Sequence, residues 1–577
     1  MKKTLLTLCC FSALTLNAQT PTFDWAINIG STNFDKGYDI ATDAAGNVYE
    51  IGILAGTADF DPGAGVVNLA SNGNDDIFIA KYSTTGNLLW AHNIGGTGNE
   101  TAVAMALDAS GNCYFTGHFT GAVDFDPGAG TSIITASGAF DVCIVKLNSS
   151  GNLVWAKNFG GTYGTFVDEL SLDASGNVYT EGTFQTTTDF DPSAGVYNLV
   201  STGGQDPYLA KLDAAGNFVW AINTGFSVNS LHIDNNNTVY LAGSFNDTTD
   251  FNPNATQVFN VIPIGATDIY IAKFDTAANF IWVKNIGGTT GTDGGNAYAI
   301  NTDAAGNIIV TGTFTGTVDF DPGTGTANLT SVGTGTNMSD MYFLKLDASA
   351  NFVWVKRVGG NSIDVPLDIA TDNAGSVYFS GRFKSSIVDF DPDPTVTFNL
   401  NGTFSSYDAF VLILSATGNF VYAYEIGGPS NGDDEANAIC VNPTGSFYVT
   451  GTFYGPIDFD PGTGTTTLND IGNTDAFIQK MNFSTVGLAH LTDENYFILY
   501  PNPANQLLVV NHGLLKENCE LKIFDVTGKE VHTSTISGNQ STIDVGKLEN
   551  GIYFLQLSYS SPSMKSSGAS QKLIIHH

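Results

Sequence analysis

All six tryptophans of this 577-residue chain occupy one slot of an internal repeat. Each stands in a phrase such as "FVWAINTG" or "LLWAHNIGG", and the phrase recurs about every 65 residues. A seventh copy, "FVYAYEIGG", carries Tyr422 in the same slot. The six are Trp25, Trp90, Trp155, Trp220, Trp282 and Trp354. A fixed period of this length means that one supersecondary unit is repeated, so the chain must fold as an array or a ring of similar units.

The sequence of each unit predicts four β-strands. In the second unit the strand-like stretches are "TAVAMALD" (101–108), "NCYFTGHF" (112–119), "DVCIVKLN" (141–148) and "NLVWAKNF" (152–159). Short turns containing glycine join the first pair and the second pair, which is typical of β-hairpins. Four antiparallel strands repeated seven times predict a β-propeller.

The two ends of the repeat region predict how the ring closes. The region begins with a lone fourth strand, "FDWAINIG", and stops after a third strand, "DAFIQKMNF" (475–483). An N-terminal strand that completes the last blade would seal the ring by hydrogen bonds. We therefore predict an all-β protein with a seven-bladed β-propeller of four-stranded antiparallel blades over residues 22–483, closed by the N-terminal strand and followed by a small C-terminal β-sandwich.

The repeats share the core "D-A-x-G-N-x-Y-x-x-G", as in "DAAGNVYEIG" (43–52) and "DASGNVYTEG" (173–182). This core resembles the bacterial SBBP-type β-propeller repeat. The resemblance covers residues 22–483, and it implies a fold and an extracellular location but no activity.

The first residues predict a secretory signal peptide over residues 1–18. Lys2 and Lys3 precede an apolar stretch that is too short to span a bilayer, and Ala18 provides a small residue at the cleavage point. A lipoprotein cysteine at Cys10 is an alternative, although the residues before it suit that role poorly. The cysteines outside this segment have no disulfide-framework spacing, so we expect them to pack in cores.

The repeat ends at residue 483, and the sequence pattern changes after it. After a predicted linker over 484–495, residues 496–577 contain "YPNP" (500–503), "KIFDVTGKEV" (522–531) and "LENGIYFLQL" (548–557). Their composition predicts a small all-β domain. The three phrases, in this order, resemble the type A C-terminal sorting domain of the Bacteroidetes type IX secretion system. The resemblance implies that the type IX secretion machinery is a partner and that the protein is secreted across the outer membrane, to an extracellular or cell-surface location. An ordinary β-sandwich binding module is the alternative.

The charge balance excludes some partners. Lys and Arg number 21 against 56 Asp and Glu, a net charge of −35, whereas nucleic acids and anionic lipids need a positive surface. No later segment is long and apolar enough for a transmembrane helix.

The phrase "DFDPGAG" and its variants occur once in each of the seven units. Two roles are compatible with the paired carboxylates. They cap turns by accepting backbone N–H groups, or they bind Ca²⁺ as a cofactor. A further aspartate starts each third strand, with lysine five residues later in six units, and we expect this lysine to offset the acidic charge. The loop lacks the denser acidic pattern of known calcium loops, and Asn252 replaces one acid, so capping is favoured. The candidate calcium ligands are Asp59, Asp61, Asp124, Asp126, Asp189, Asp191, Asp319, Asp321, Asp389, Asp391, Asp458 and Asp460.

Catalysis would need a place where the repeats differ. Asp39, Glu169 and Asp368 share an inner-strand slot that holds Ala or Ser in the other units. Carboxylates at a channel mouth could act as acid and base on a sugar, but these units are not neighbours in the ring. His232 is another outlier, more readily a packed histidine than a base. No nucleophile motif, metal-type histidine cluster or phosphate loop occurs.

We therefore expect a secreted or cell-surface binding or scaffolding module, with a glycan or a protein as ligand. A polysaccharide-acting enzyme that uses Asp39, Glu169 and Asp368 is the alternative, and a self-associating surface-layer protein is a third possibility.

Overall fold

A computed structural model describes most of the chain. The described residues are 20–254, 256–288, 290, 292–332, 338–402, 405–428, 432–483, 498–500, 504–511, 519–525, 529–536, 540–558 and 568–575. The predicted signal peptide (1–18) and linker (484–495) lie outside them. The chain divides into two units between Ser484 and Thr485. All regular structure in the described ranges is β, so the all-β prediction is confirmed, and no helix there could cross a membrane.

The first unit contains seven sets of four antiparallel strands, and in each set the strands are hydrogen-bonded in chain order. The sets, numbered along the chain, are as follows. Set one is Lys36–Thr42, Val48–Leu54, Asp76–Tyr82 and Leu88–Ile94; set two is Thr101–Leu107, Cys113–Phe119, Asp141–Leu147 and Leu153–Gly161; set three is Thr165–Leu172, Val178–Asp189, Asn198–Leu212 and Phe218–Asn223; set four is Ser230–Ile233, Val239–Phe245, Asp268–Phe274 and Phe280–Gly288.

Sets five and six continue this order, and set seven takes its fourth strand from the beginning of the chain. Set five is Gly294–Thr302, Ile308–Thr315, Asp340–Leu346 and Phe352–Val358; set six is Asp364–Thr371, Val377–Phe383, Asp408–Leu414 and Phe420–Ile426; set seven is Glu435–Val441, Ser446–Phe453, Asp475–Asn482 and Thr22–Ile29. Thr22–Ile29 pairs antiparallel with Asp475–Asn482.

Between the second and third strands, six sets carry a short two-stranded hairpin, and the hairpin of set five also pairs with the fourth strand of set four. In set three this hairpin is continuous with the long strands Val178–Asp189 and Asn198–Leu212. The others are Thr57–Asp59 with Asn68–Ala70, Ala122–Asp124 with Ile133–Thr135, Thr249–Asp250 with Asn260–Val261, Thr317–Asp319 with Asn328–Thr330, Val388–Asp389 with Asn399–Leu400, and Ile457–Asp458 with Thr467–Leu468.

The "D-A-x-G-N" phrase forms the tight turn between the first and second strands. In set one the Asp43 carboxylate accepts the backbone N–H groups of Ala45 and Asn47 at 3.0 and 2.9 Å. Gly46 has φ +79°, a conformation that glycine adopts without the steric cost of a Cβ. The phrase is therefore the sequence of a capped turn.

The tryptophans connect neighbouring sets. Trp90, on the outer strand of set one, donates its indole N–H to the carbonyl of Ser149, in a turn of set two, at 3.3 Å. A Cβ at Gly151, in the same turn, would lie 3.0 Å from the Trp90 ring, so the turn lies directly against the indole. Equivalent bonds join Trp25 to Thr84, Trp155 to Ala214, Trp220 to Thr276, and Trp354 to Ala416.

Each set buries apolar side chains against the next, so the core is a series of layers between sheets. The second unit has its own core, with Leu521, Ile523 and Leu555 fully buried. Its strands form a three-stranded sheet of Ile498–Tyr500, Leu507–Asn511 and Gln540–Asp544, and a four-stranded sheet of Glu530–Ile536, Cys519–Asp525, Gly551–Ser558 and Gly568–Ile575.

Candidate functional site

The repeated acidic loops are built as backbone caps. Asp59 Oδ1 accepts the N–H of Asp61 at 3.1 Å and the N–H of Val67, across the loop, at 2.8 Å. Asp61 Oδ1 accepts the N–H of Gly63 at 2.8 Å. Phe60, between the two acids, is 1% exposed and anchors the loop in the core. This is the turn-capping geometry that the sequence predicts.

The same bonds recur in every loop. The first aspartate always accepts two backbone N–H groups, and the residue two positions later accepts one, even where it is Asn252. The first aspartates and their donors across the loop are Asp124 with Ser132, Asp189 with Tyr197, Asp250 with Phe259, Asp319 with Ala327, Asp389 with Phe398, and Asp458 with Thr466.

The loops fit Ca²⁺ poorly. Calcium takes six to eight oxygen ligands, whereas the loops supply one to three carboxylates each, and their Oδ1 atoms already accept N–H groups, as in Asp59 and Asp61. Within the part of the chain that the structure describes, no three His, Cys, Asp or Glu side chains are placed to hold a metal ion. Calcium binding by Asp59, Asp61 and their equivalents stays a prediction.

The aspartates that start the third strands are buried caps. Asp141 Oδ2 accepts the N–H of Ser137 at 3.0 Å and the side-chain amide of Asn158 at 2.9 Å. A Cβ at Gly160 would overlap the Asp141 carboxylate, which explains the glycine at the end of this fourth strand. Asp76, Asp206, Asp268, Asp340 and Asp475 likewise accept a backbone N–H from the preceding loop.

The prediction that the third-strand lysines offset the charge of these caps is wrong. Lys81 Nζ lies 3.1 Å from Asp43 Oδ2, in the tight turn, and 4.5 Å from the Tyr49 ring centre. Five residues of extended strand span about 16 Å, so the lysine reaches the turn at the other end of the sheet. Lys146, Lys211 and Lys345 make the same pair with Asp108, Asp173 and Asp303.

The three candidate catalytic acids follow β-bulges in the first strands. The pairing with the second strand skips one residue just before Asp39, Glu169 and Asp368. A bulge leaves backbone groups without ladder partners. The carboxylates accept the freed N–H groups of the following residues: Ile40 donates to Asp39 at 2.7 Å, and Leu170 donates to Glu169 at 3.2 Å.

Two of these acids also tie neighbouring sets together. Asp39 Oδ2 accepts the N–H of Met105, in set two, at 2.6 Å. Asp368 Oδ2 accepts the N–H of Ile439, in set seven, at 2.9 Å. Ser230, in the same slot, accepts the N–H of Ile300 at 3.2 Å. The slot therefore has a structural use that its position in the sequence did not indicate.

The three acids influence one another even though they belong to sets one, three and six. Burial, then the charge of Asp368, raise the pKa of Asp39 to about 7. Burial raises the pKa of Asp368 to about 6. Burial, then the charges of Asp39 and Asp368, raise the pKa of Glu169 well above its usual value. Burial therefore favours the protonated form of each of the three carboxyls, and the charges of Asp39 and Asp368 add to this effect at Glu169.

The other outlier on an inner strand is a packed side chain. His232 Nε2 lies 2.9 Å from Thr302 Oγ1, and burial lowers the pKa of His232 to about 4, so its ring is neutral. Cys113 and Cys143 are buried free thiols in the core, as the sequence predicts.

Residues 498–576 match the family model described as the secretion system C-terminal sorting domain. This match confirms the predicted location: the protein is exported across the outer membrane to the cell surface or the extracellular space. The sorting domain implies contact with the type IX secretion machinery.

Sequence relatives of the whole chain are distant. An uncharacterized WD repeat-containing protein of Acanthamoeba polyphaga mimivirus is 26% identical over 526 residues, which cover 75% of this chain and 36% of that protein. The regulatory protein FlaEY of Caulobacter vibrioides is 24% identical over 145 residues, 25% of this chain and 15% of its own length. The chain therefore spans about a third or less of the curated relatives it matches.

Similarity to solved structures is slight. The Neurospora crassa Pan2 WD40 domain has a TM-score of 0.30 and 9% identity, covering 63% of this chain and 93% of that domain. PorZ, a surface component of the Porphyromonas gingivalis type IX secretion system, has a TM-score of 0.15 and 11% identity, covering 96% of this chain and all of PorZ. Values this low have no bearing on activity.

Proposed function

We propose that the first unit is a closed seven-bladed β-propeller of SBBP-type repeats that acts, after export, as a binding or scaffolding module. Two observations support closure of the ring. Thr22–Ile29 completes the set that contains Asp475–Asn482. The first strand of each set also contacts the first strand of the next, and Glu435–Val441, in set seven, contacts Lys36–Thr42, in set one.

The observation that carries the binding role is the exposure of apolar side chains on capped hairpins. Val66 is 69% exposed, Val196 is 71% exposed and Val258 is 69% exposed, and each lies in a hairpin whose turn is held by aspartate caps. Ile133 and Val396 are exposed in the equivalent hairpins. Exposed apolar groups repeated on rigid loops favour a contact surface, because a preordered loop loses little entropy on binding.

A binding test would present the purified chain to immobilised neutral and acidic polysaccharides and to immobilised copies of itself. We expect saturable binding to at least one polysaccharide. Replacing Val196 and Val258 by serine should weaken it without lowering the melting temperature, because both side chains already face water. A chain that binds none of these surfaces would contradict the proposal. Binding to its own copies alone would instead indicate a self-associating surface layer.

The alternative function is that of a polysaccharide-acting enzyme. One observation on its candidate catalytic acids favours it. The charge of Asp368 raises the pKa of Asp39, and the charges of both raise the pKa of Glu169, in addition to the larger effect of burial; carboxyls with raised pKa values can serve as acid and base. Release of reducing sugar from the same polysaccharides, abolished by the combined Asp39→Asn, Glu169→Gln and Asp368→Asn substitutions, would establish this alternative. No release by the unmodified chain would exclude it for those substrates.

A further inference from the structure

Besides Arg357, three lysine and arginine residues of the repeat region have no lysine or arginine at the equivalent positions of the other sets. Six lysines recur on the third strands, and Lys157, Lys284 and Lys356 recur two residues after tryptophan. Arg357 occupies the slot in which asparagine bonds the third-strand aspartate, and it makes that bond itself, to Asp340 at 2.6 Å. The remaining cations between residues 22 and 483 are Lys36, Arg382 and Lys384.

The structure brings these three cations together where sets six, seven and one meet. Lys36 Nζ lies 2.7 Å from Glu435 Oε2, and Arg382 Nη1 pairs with Glu435 Oε1. The Arg382 guanidinium lies 4.5 Å from the centre of the Tyr407 ring, and Lys384 Nζ lies 5.1 Å from the same centre. A chain with a net charge of −35 therefore gathers three unrepeated cations around one carboxylate and one ring.

Carboxylates surround the three cations. Glu435 is shared by two cations, and among the described residues Lys384 forms no ion pair. Burial, as the largest effect, raises the pKa of Asp434 to about 8, so that carboxyl is mostly uncharged at pH 7. Asp433, which accepts the Tyr407 N–H at 2.9 Å, supplies a second negative charge. Asp364, which accepts the backbone N–H of Lys384 at 3.1 Å, supplies a third. The charge of Asp408 also acts on Asp434. What the cluster offers a ligand is therefore the ammonium group of Lys384, which forms no ion pair among the described residues, and not an excess of positive charge.

The cluster also has an unused donor and exposed rings beside it. Arg382 Nε is buried and has no hydrogen-bond partner in the described part of the chain. Phe34, two residues before Lys36, is 60% exposed. Tyr454 is 38% exposed, and its N–H bonds Asp434, the residue next to Glu435, at 2.8 Å. Arginine and lysine bind carboxylates, and flat exposed rings offer apolar faces to sugar rings.

We propose that the cluster of Lys36, Arg382, Lys384 and Tyr407 binds a uronic-acid-bearing polysaccharide, with a sugar carboxylate at Lys384 and Arg382. This inference rests on the proposed binding function, and it adds to the exposed hairpin valines a second, charged contact that selects the ligand class. Glu435 holds Lys36 and Arg382 in place when no ligand is bound, and the ligand carboxylate competes with it for Arg382.

The test uses the full chain and polygalacturonate as the probe, with neutral dextran and dextran sulfate as comparisons, by calorimetry at low and high salt. We expect polygalacturonate to bind, with an affinity that falls as salt rises. Lys384→Gln should weaken binding about fivefold, because it removes the charge of the cluster cation that forms no ion pair among the described residues. Lys284→Gln, in a repeated outer-strand slot, is the matched control and should leave binding unchanged.

A second variant distinguishes ligand binding by the cluster from a purely structural role. Glu435→Gln releases two cations from their internal partner, so it should tighten binding of polygalacturonate in a chain that keeps its melting temperature. Unchanged binding by Lys384→Gln, or a preference for dextran sulfate over polygalacturonate, would overturn the inference. Binding of neutral dextran without polygalacturonate would overturn it while leaving the binding function intact, whereas binding of no polysaccharide would remove both.

Discussion

At the scale of single residues, the repeated acids are explained by the backbone groups they hold. Asp124 Oδ1 accepts the N–H groups of Asp126 and Ser132, at 3.1 and 2.7 Å. Each such bond contributes about 1 kcal/mol. An oxygen acceptor is what the loop requires, and the side chain of Asn252 meets the equivalent requirement in set four.

Asp124→Ala and Asp124→Asn separate capping from calcium binding. The alanine removes both bonds and should lower the free energy of unfolding by about 1–2 kcal/mol, whereas the asparagine keeps an acceptor and should cost less. Denaturant unfolding with added Ca²⁺ and with a chelator measures both. We expect neither condition to move the midpoint of the unmodified chain. Equal losses for the two variants, together with stabilisation by Ca²⁺, would make the loop an ion site.

Asp39 makes stability depend on pH in a direction that can be checked. Its pKa rises from the usual 3.8 to about 7 on folding. The folded state therefore binds the proton more tightly, and stability present below pH 3.8 is lost as the pH rises toward 7.

Asp39→Asn removes the loss of stability that deprotonation of Asp39 causes. It also replaces one carboxylate oxygen, a hydrogen-bond acceptor, by an amide NH₂ group, which is a donor. The variant should be less stable than the unmodified chain at pH 5, and the gap should shrink by about 1–2 kcal/mol by pH 8. Melting curves across this range measure the gap, with Asp59→Asn, in an exposed loop, as the control. A constant gap would show that Asp39 is not protonated in the folded chain.

At the scale of elements, the sequence predicted the strands better than the contacts between them. The period-two alternation and the glycine turns placed strands such as Cys113–Phe119 within a residue of their bounds. The bond from Trp90 to Ser149 in the next set was not predictable from alternation, because it depends on how two sheets face each other. The partner of Lys81 was missed for the same reason, as strand length carries it to the opposite turn. The pairing of Arg382 with Glu435 was likewise not predictable, because it depends on the contact between sets six and seven.

Gly160→Ala tests the fit between the end of a fourth strand and a buried cap. The added methyl would overlap the Asp141 carboxylate, so we expect a loss of about 2 kcal/mol or more in the free energy of unfolding. Gly203→Ala is the control, because nothing lies within 4 Å of its Cβ position. Similar unfolding curves for the two variants would show that the aspartate moves aside at little cost.

At the scale of the whole molecule, the protein is exported to the cell surface or the extracellular space, and the proposed binding cluster belongs to its first unit. Lys36, in set one, joins Arg382 and Glu435, in sets six and seven, only if the last set meets the first. The pairing of Thr22–Ile29 with Asp475–Asn482 is the contact that joins the two ends of the repeat region.

Native-state hydrogen exchange of the full chain, followed by mass spectrometry, tests this pairing most directly. The peptide covering Thr22–Ile29 should exchange as slowly as the peptide covering Leu153–Gly161, which fills the same fourth-strand slot inside the chain. Equal protection is the result expected for a closed ring. Exchange of Thr22–Ile29 as fast as that of an exposed loop tip, with Leu153–Gly161 still protected, would contradict closure and, with it, the assembled binding cluster.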